Sequence, residues 1–214
     1  MESAHPERLS AADAANIEID AADQVNAFLL AGILGVGGFV AHDGVDLDRL
    51  RGHLLARFAD PTAPGLARFT QRVAVRGGPL VWERCQPDLL WHVRLSDPVH
   101  GEEGLAALAA TLMTVALPLD RPLWELLVVP GATTQGVGLV VRVHHAVADG
   151  VQGIRLLSQL FAAPAPRSGQ GRGDRPGSGA GSVPDQGAAA TPSPRRSWRT
   201  VATGISRGTA VFRA

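Results

Sequence analysis

The stretch "GVGLVVRVHHAVADGVQGIRLLSQLF", Gly136 to Phe161, changes its hydrophobic period halfway through. Up to the histidine pair the residues alternate: Leu139, Val141, Val143 and His145 share one face of an extended segment, and Val140, Arg142 and His144 share the other. After Asp149 the spacing of Ile154, Leu157, Leu160 and Phe161 predicts a packed helix. A strand, a tight turn at Gly150 and a helix therefore follow one another, which is the unit of an α/β fold. Alternation also points the two imidazoles apart. That geometry argues against a shared metal ion, and no further His or Cys stands at a ligand spacing such as HExxH. No GxSxG elbow precedes a helix, and Cys85 lies in no recognisable nucleophile setting. What remains is one imidazole at a strand end. It can serve as a general base for direct group transfer, or it can be a packed structural histidine, and the pattern alone leaves both readings open.

Working outward, "LWELLVV" reads as a buried strand neighbouring "GVGLVVRVHH", the two separated by a turn at Pro130–Gly131. From Gly101, Leu105, Leu108, Leu112 and Val115 recur on one helical face, with Glu102 and Glu103 in the first turn and Pro118 as the stop. "LLWHVRL" reads as extended, and "ARFTQRVAV" and "LVWERC" as short strands around Gly77–Gly78–Pro79. Leu47, Leu50, Leu54, Leu55 and Phe58 define an amphipathic helix with Asp46 as its N-cap. The expected architecture is α/β, a mixed sheet flanked by helices.

Composition narrows the partners. The 214 residues include 20 basic and 20 acidic side chains, so no charge excess recruits nucleic acid. The balance is uneven along the chain: residues 164–214 hold eight Arg and two Asp, a net of +6, leaving −6 before them. The single cysteine, Cys85, can form no intrachain disulfide and is expected as a small packed side chain. The opening residues carry acids and no apolar core, unlike a secretory signal. Ala27 to Ala41 is uncharged for fifteen residues, short of the roughly 20 that span a bilayer. A buried strand with its turn is expected there, with a membrane-dipping segment as the competing reading. Beyond Ala163 the chain is dominated by Pro, Gly, Ser, Ala and Arg, which predicts a disordered linker over 164–196. Trp198, Val201, Ala202, Ile205 and Phe212 then fall on one helical face, which predicts a helix within 197–214.

The segment "HHAVADG", residues 144–150, resembles the HHxxxDG signature of CoA-dependent acyltransferases related to chloramphenicol acetyltransferase and peptide-synthetase condensation domains. "RLSAADAA", "RFTQRV", "WHVRL", "PLD" and "RPLWEL" before it, and the linker with "SWRTVATG" after it, are similar in order and spacing to the bacterial wax ester synthase/diacylglycerol acyltransferase family. The resemblance implies a chloramphenicol acetyltransferase-like lobe over 1–163 and the start of a second lobe at 197–214. It implies that His145 is the general base, deprotonating a fatty alcohol or diacylglycerol that attacks the thioester of a long-chain acyl-CoA. His144, Asp149 and Gly150 are the implied supporting residues, the aspartate through an arginine ion pair and the glycine by permitting the turn and substrate access. No metal or organic cofactor is implied. Burial beside an apolar tunnel is expected to lower the His145 pKa.

Two departures from the family pattern stand out. "PLDRPLWE" fuses two elements that relatives separate, which puts the placing of Trp124 and Glu125 in question. Relatives also run to roughly twice this length, with a tunnel between two lobes. An exposed apolar interface seeking a C-terminal lobe or a separate chain is therefore expected. Alternatives are a non-catalytic module that binds lipid or a partner, and an amide-forming enzyme of condensation-domain type. The expected location is cytoplasmic, peripheral to an inner membrane or lipid droplet. The basic C-terminal part reads as a solvated linker plus a helix meant for a second lobe, with contact to an anionic surface as the competing reading.

Overall fold

The computed structural model describes residues 7–21, 24–41 and 44–162, together with the backbone of 209–213. In chain order the elements are β1 (Glu7–Arg8), α1 (Ala11–Ala21), β2 (Ala27–Gly35), β3 (Val40–Ala41), β4 (Gly44–Val45) and α2 (Leu47–Phe58). A 3-10 segment, Pro64–Thr70, leads into β5 (Gln71–Val75) and β6 (Leu80–Arg84). Then come α3 (Leu89–His92), β7 (Val93–Leu95), α4 (Gly101–Leu112), β8 (Trp124–Thr133), β9 (Gly136–His144), α5 (Gly150–Leu160) and β10 (Thr209–Arg213).

Five strands form the main sheet in the order β10-β2-β9-β8-β7. The inner pairs β2–β9 and β9–β8 are antiparallel, and the outer pairs β7–β8 and β10–β2 are parallel. This is the expected mixed sheet. Its middle strands are apolar on both faces because each face carries a helical layer. On one side Leu29, Ala31, Leu127, Val129 and Val140 pack against Leu105 and Ala109 of α4. On the other, Phe28, Leu30, Leu139, Val141 and Val143 meet Leu50 and Leu54 of α2 and Leu156 and Leu160 of α5. A three-stranded sheet, β1-β6-β5, stands apart, and with α1 it closes a third cluster of Ile17, Trp82, Leu123 and Ala146. Ala27 to Gly35 is thus a central strand, and no helix among the described residues is long and apolar enough to cross a membrane.

Several expectations need correction. Leu89–His92 is a helical turn, because the Asp88 side chain accepts the Leu90 N–H and caps it; only Val93–Leu95 is extended. The Pro130–Gly131 pair does not reverse the chain. β8 continues through it with a register irregularity between Val129 and Thr133, and the turn falls at residues 134–135. Gly131, at φ 77°, is needed for a different reason: a Cβ there would lie 2.1 Å from the Val99 carbonyl oxygen, where the two backbones touch. α4 ends at Leu112, before Pro118, because the buried Arg142 guanidinium donates to the carbonyls of Leu112 and Val115; Val115 itself is exposed. Of the residues expected to pack, Leu160 is buried and Leu157 and Phe161 lie partly buried against the core, joined by Gly153 and Leu156; only Ile154 departs, at 43% exposed. At the end of the chain, 209–213 is a strand pairing with β2 rather than helix. Extended pairing satisfies its backbone along the open edge of β2. The remainder of the proposed helix and the proposed linker over 164–196 lie outside the described residues.

Candidate functional site

The two histidines stand where β9 runs out, and they do point apart. His144 completes the strand opposite Ala27, and its N–H donates to the Leu123 carbonyl (3.0 Å). The next residue leaves the ladder. The His145 N–H donates to the Asn26 carbonyl (3.0 Å), and the chain then tightens over the His144 carbonyl, which accepts the Val147 N–H at 2.9 Å. Ala146 and Ala148 are buried under α1, the small sheet and the main core, so the loop after the histidines is anchored by packing.

His144 is fully buried. Its Nδ1 accepts the Ala146 N–H (3.0 Å), which leaves the ring hydrogen on Nε2. Among the described residues that nitrogen has no hydrogen-bond partner, and the nearest carboxylate oxygen, Asp20 Oδ2, lies 3.9 Å away. Burial pushes the His144 pKa below the ordinary imidazole value, with the neighbouring His145 acting in the same direction and the Asp20 charge opposing.

His145 is half-buried. Its ring lies against Phe28 with centroids 5.5 Å apart, and no described residue hydrogen-bonds either ring nitrogen. Burial lowers its pKa as expected, and Asp149 pulls weakly the other way. Below it on the same sheet face lies an apolar cavity of about 100 Å³ lined by Leu30, Leu139, Val141, Ile154, Leu157 and Phe161. Val141 is four residues from His145 along β9, so the cavity lies about 13 Å down the strand. Ile154, one of its lining residues, is exposed, as is Val151 three positions earlier on α5.

The other expected site residues behave differently. Asp149 is exposed and its carboxylate accepts the Gln152 N–H (2.7 Å), capping α5; among the described residues it forms no arginine ion pair. Gly150 opens α5 with no positive φ, and a Cβ there would meet nothing within 4 Å, so no tight turn requires it. The glycine that the packing requires is Gly153, whose added Cβ would lie 2.3 Å from Cε2 of Phe28. After the fused "PLDRPLWE" segment, Trp124 Nε1–H donates to the Phe69 carbonyl (2.9 Å), and Glu125 is buried between two arginines. Its carboxylate accepts from Arg142 Nε (2.6 Å) and from Arg94 Nη2 (2.7 Å). Sequence reasoning missed Asp20, Asn26, Phe28 and Gly153. The available signals were Asn16 and Asp20 at i, i+4 spacing and a glycine inside an amphipathic helical pattern.

Residues 9–209 match the family described as the wax ester synthase/diacylglycerol acyltransferase catalytic domain. A protein of Mycobacterium tuberculosis strain H37Rv, provisionally named a diacylglycerol O-acyltransferase, is 35% identical over 94 residues, which is 42% of this chain and 21% of that protein. A second from the same strain, with the same provisional name, is 42% identical over 78 residues, 34% of this chain and 16% of that one. The aligned stretches thus cover only 16–21% of these relatives' own length. Among solved structures, the wax ester synthase/diacylglycerol acyltransferase from Marinobacter aquaeolei VT8 superposes with a TM-score of 0.54 at 22% identity, covering 71% of this chain and 37% of that one. The starter condensation domain of rhizomide synthetase gives a TM-score of 0.54 at 14% identity, covering 73% and 38%. At such identities the likeness establishes a shared fold, that of the chloramphenicol acetyltransferase-like acyltransferases. With the sequence match running across nearly the whole chain, this protein belongs to the wax ester synthase/diacylglycerol acyltransferase catalytic-domain family.

Proposed function

We propose that the chain carries the base-bearing lobe of an acyl-CoA-dependent O-acyltransferase, with His145 as the general base. The observation that carries this reading is the position of His145: a neutral-leaning imidazole whose ring nitrogens no described residue hydrogen-bonds, at one end of a sheet face whose other end lines an apolar cavity. An acyl chain lying along that face would bring its thioester carbonyl to the imidazole. His145 takes the proton from the hydroxyl of a diacylglycerol or fatty alcohol as the oxygen forms a bond to the thioester carbon. The C–S bond then breaks, and the imidazolium returns the proton to the departing CoA thiolate. The ester and free CoA leave, and the base is restored without a metal or organic cofactor.

His144, Asp149 and Gly150 support this chemistry from outside the reacting atoms: His144 anchors the turn, Asp149 starts α5 over the cavity, and Gly150, which no turn requires, leaves space for substrate. The acceptor and donor are drawn from the relatives, which carry diacylglycerol O-acyltransferase in their names, and from a fold neighbour. That neighbour, a mutant starter condensation domain with a TM-score of 0.53, was solved in complex with C8-CoA. The exposed apolar residues of α5 fit a second lobe, from the same or another chain, closing the cavity into a tunnel. We place this activity in the cytoplasm, at the surface of a membrane or lipid droplet, where its apolar acceptor resides. A base so placed would equally serve an amine acceptor, as in condensation domains, but the family match over residues 9–209 favours the alcohol.

The test is to incubate the purified chain with labelled palmitoyl-CoA and either hexadecanol or dioleoylglycerol. Ester is expected from the wild type, and His145→Ala is expected to lower the rate by about 10²- to 10⁴-fold. Wild-type turnover in a folded His145→Ala chain would overturn the assignment. No ester from either acceptor, with a folded spectrum, would favour an incomplete enzyme lacking its second lobe, or a lipid- or partner-binding module.

A further inference from the structure

No described residue hydrogen-bonds the His145 ring, so its position is inherited from its backbone and from the residue before it. Both are tied to one side chain. Asp20, in the last turn of α1, has its Oδ1 accepting the Asn26 N–H (2.8 Å), and the Asn26 carbonyl in turn accepts the His145 N–H (3.0 Å). Asp20 Oδ2 faces the Nε2–H of His144 at 3.9 Å, and the Nδ1 of that ring holds the Ala146 N–H. Asn26 is anchored a second time, its Nδ2 donating to the main-chain and side-chain oxygens of Asn16, both at 2.9 Å. Residues 145 and 146 are therefore fixed from either side by routes that meet at Asp20.

Local stability does not account for a carboxylate here. The Asp20 side chain is only 5% exposed, and it sits at the C-terminal end of a helix, where the macrodipole disfavours negative charge and no basic residue shares the last turn. A negative group that bonds the Asn26 N–H and stands 3.9 Å from the His144 Nε2–H, near enough to attract it though not to bond it, does account for it.

We propose that Asp20 is a positioning residue for the transfer assigned to His145, its carboxylate joining the His144 ring and the Asn26 backbone into one clamp that sets where the His145 imidazole stands. The inference rests on the acyl-transfer reading of His145. Asparagine at this position can keep the one hydrogen bond, to the Asn26 N–H, but withdraws the negative charge that faces the His144 Nε2–H. If its oxygen stays on the Asn26 N–H, its NH₂ confronts the His144 Nε2–H; the ring then relieves the clash by moving its hydrogen to Nδ1, which expels the Ala146 N–H. If the amide flips, Asn26 loses its acceptor and the His145 N–H loosens instead.

The experiment uses the full chain with ¹⁵N-labelled histidine. Long-range ring spectra, amide exchange and palmitoyl-CoA kinetics are read for the wild type, Asp20→Asn and Asp20→Glu. The wild type is expected to show His144 as the Nε2–H tautomer, with slowly exchanging amides at His145 and Ala146. Asp20→Asn is expected to add the second tautomer or to speed exchange at one of those amides. It is also expected to lower kcat about tenfold or more while KM for palmitoyl-CoA stays within about twofold, as befits a misplaced base. Asp20→Glu, which keeps both acceptors, is expected to retain the Nε2–H tautomer. Wild-type ring signals and amide protection in Asp20→Asn would overturn the proposal, as would loss of the tautomer in Asp20→Glu. A wild type that makes no ester counts against the acyl-transfer reading alone, and the ring and amide signals then decide the clamp.

Discussion

At His145, burial holds the imidazole pKa below the ordinary 6.5 while the exposed Asp149 charge raises it. The neutral base is therefore the dominant form at neutral pH, and protonation on acidification should switch the reaction off. The acid limb of kcat/KM is expected to have its midpoint below 6.5, and Asp149→Asn should move it lower still, because the charge that favours the imidazolium is gone. A pH–rate profile checks both, and a midpoint above 6.5 would place the imidazole in a different environment. Two glycines make the complementary point. Gly150 sits within the signature and is sterically free, whereas Gly153, which no motif singles out, is the residue whose missing side chain makes room for the ring that backs His145.

Among the elements, the junction of α4, β8 and β9 is held by charge as well as by packing. Glu125 and Arg142 are almost fully buried, Arg94 supplies a second guanidinium, and Arg142 also takes up the carbonyls that end α4. Such a network stabilises only when complete, because its members have been stripped of water. Glu125→Ala leaves the buried Arg142 without its counter-charge and is expected to lower the unfolding free energy by about 3–5 kcal/mol. Urea denaturation measures this; a loss within about 0.5 kcal/mol, typical of surface changes, would mean that the pair carries no such weight. Since Arg142 lies two residues before His144 on the same strand, slackening this junction should also reach the site.

For the molecule as a whole, acid sensitivity follows from its buried imidazoles. His92 is fully buried and stacks on Trp124 with centroids 4.5 Å apart, its Nδ1–H donating to the Trp124 carbonyl at 2.7 Å. Burial lowers its pKa to about 4, against only partial opposition from that hydrogen bond. The unfolded chain takes up this proton near 6.5 and the folded chain only near 4, so the unfolded state binds more protons between those values. The contribution is fully present above 6.5 and is lost as the pH falls to about 4. A shift of this size corresponds to on the order of 3 kcal/mol, to which buried His144 adds in the same direction. Denaturation midpoints should therefore drop steadily from about pH 7 to about pH 4.5, and a flat profile across that range would contradict a neutral, buried His92.

Local periodicity was enough to place α2 with its Asp46 cap, the strands β2, β8 and β9, and the separation of the two imidazoles onto opposite faces, because these depend on residues within a few positions of one another. The HHxxxDG pattern likewise located the half-buried imidazole above the apolar cavity. Tertiary structure decided what depends on distant neighbours. Asp88 and Arg142 end or begin helical turns that apolar spacing would have drawn differently, and Val99, more than thirty residues before Gly131, makes that glycine necessary without a chain reversal. Phe28 chooses which face of α5 is buried, and Asp20 meets His144 across 124 positions. A hydrophobic pattern records that a residue will be covered, but the atom that covers it comes from elsewhere in the chain, and it is that atom which sets a turn, a cap or the orientation of a ring.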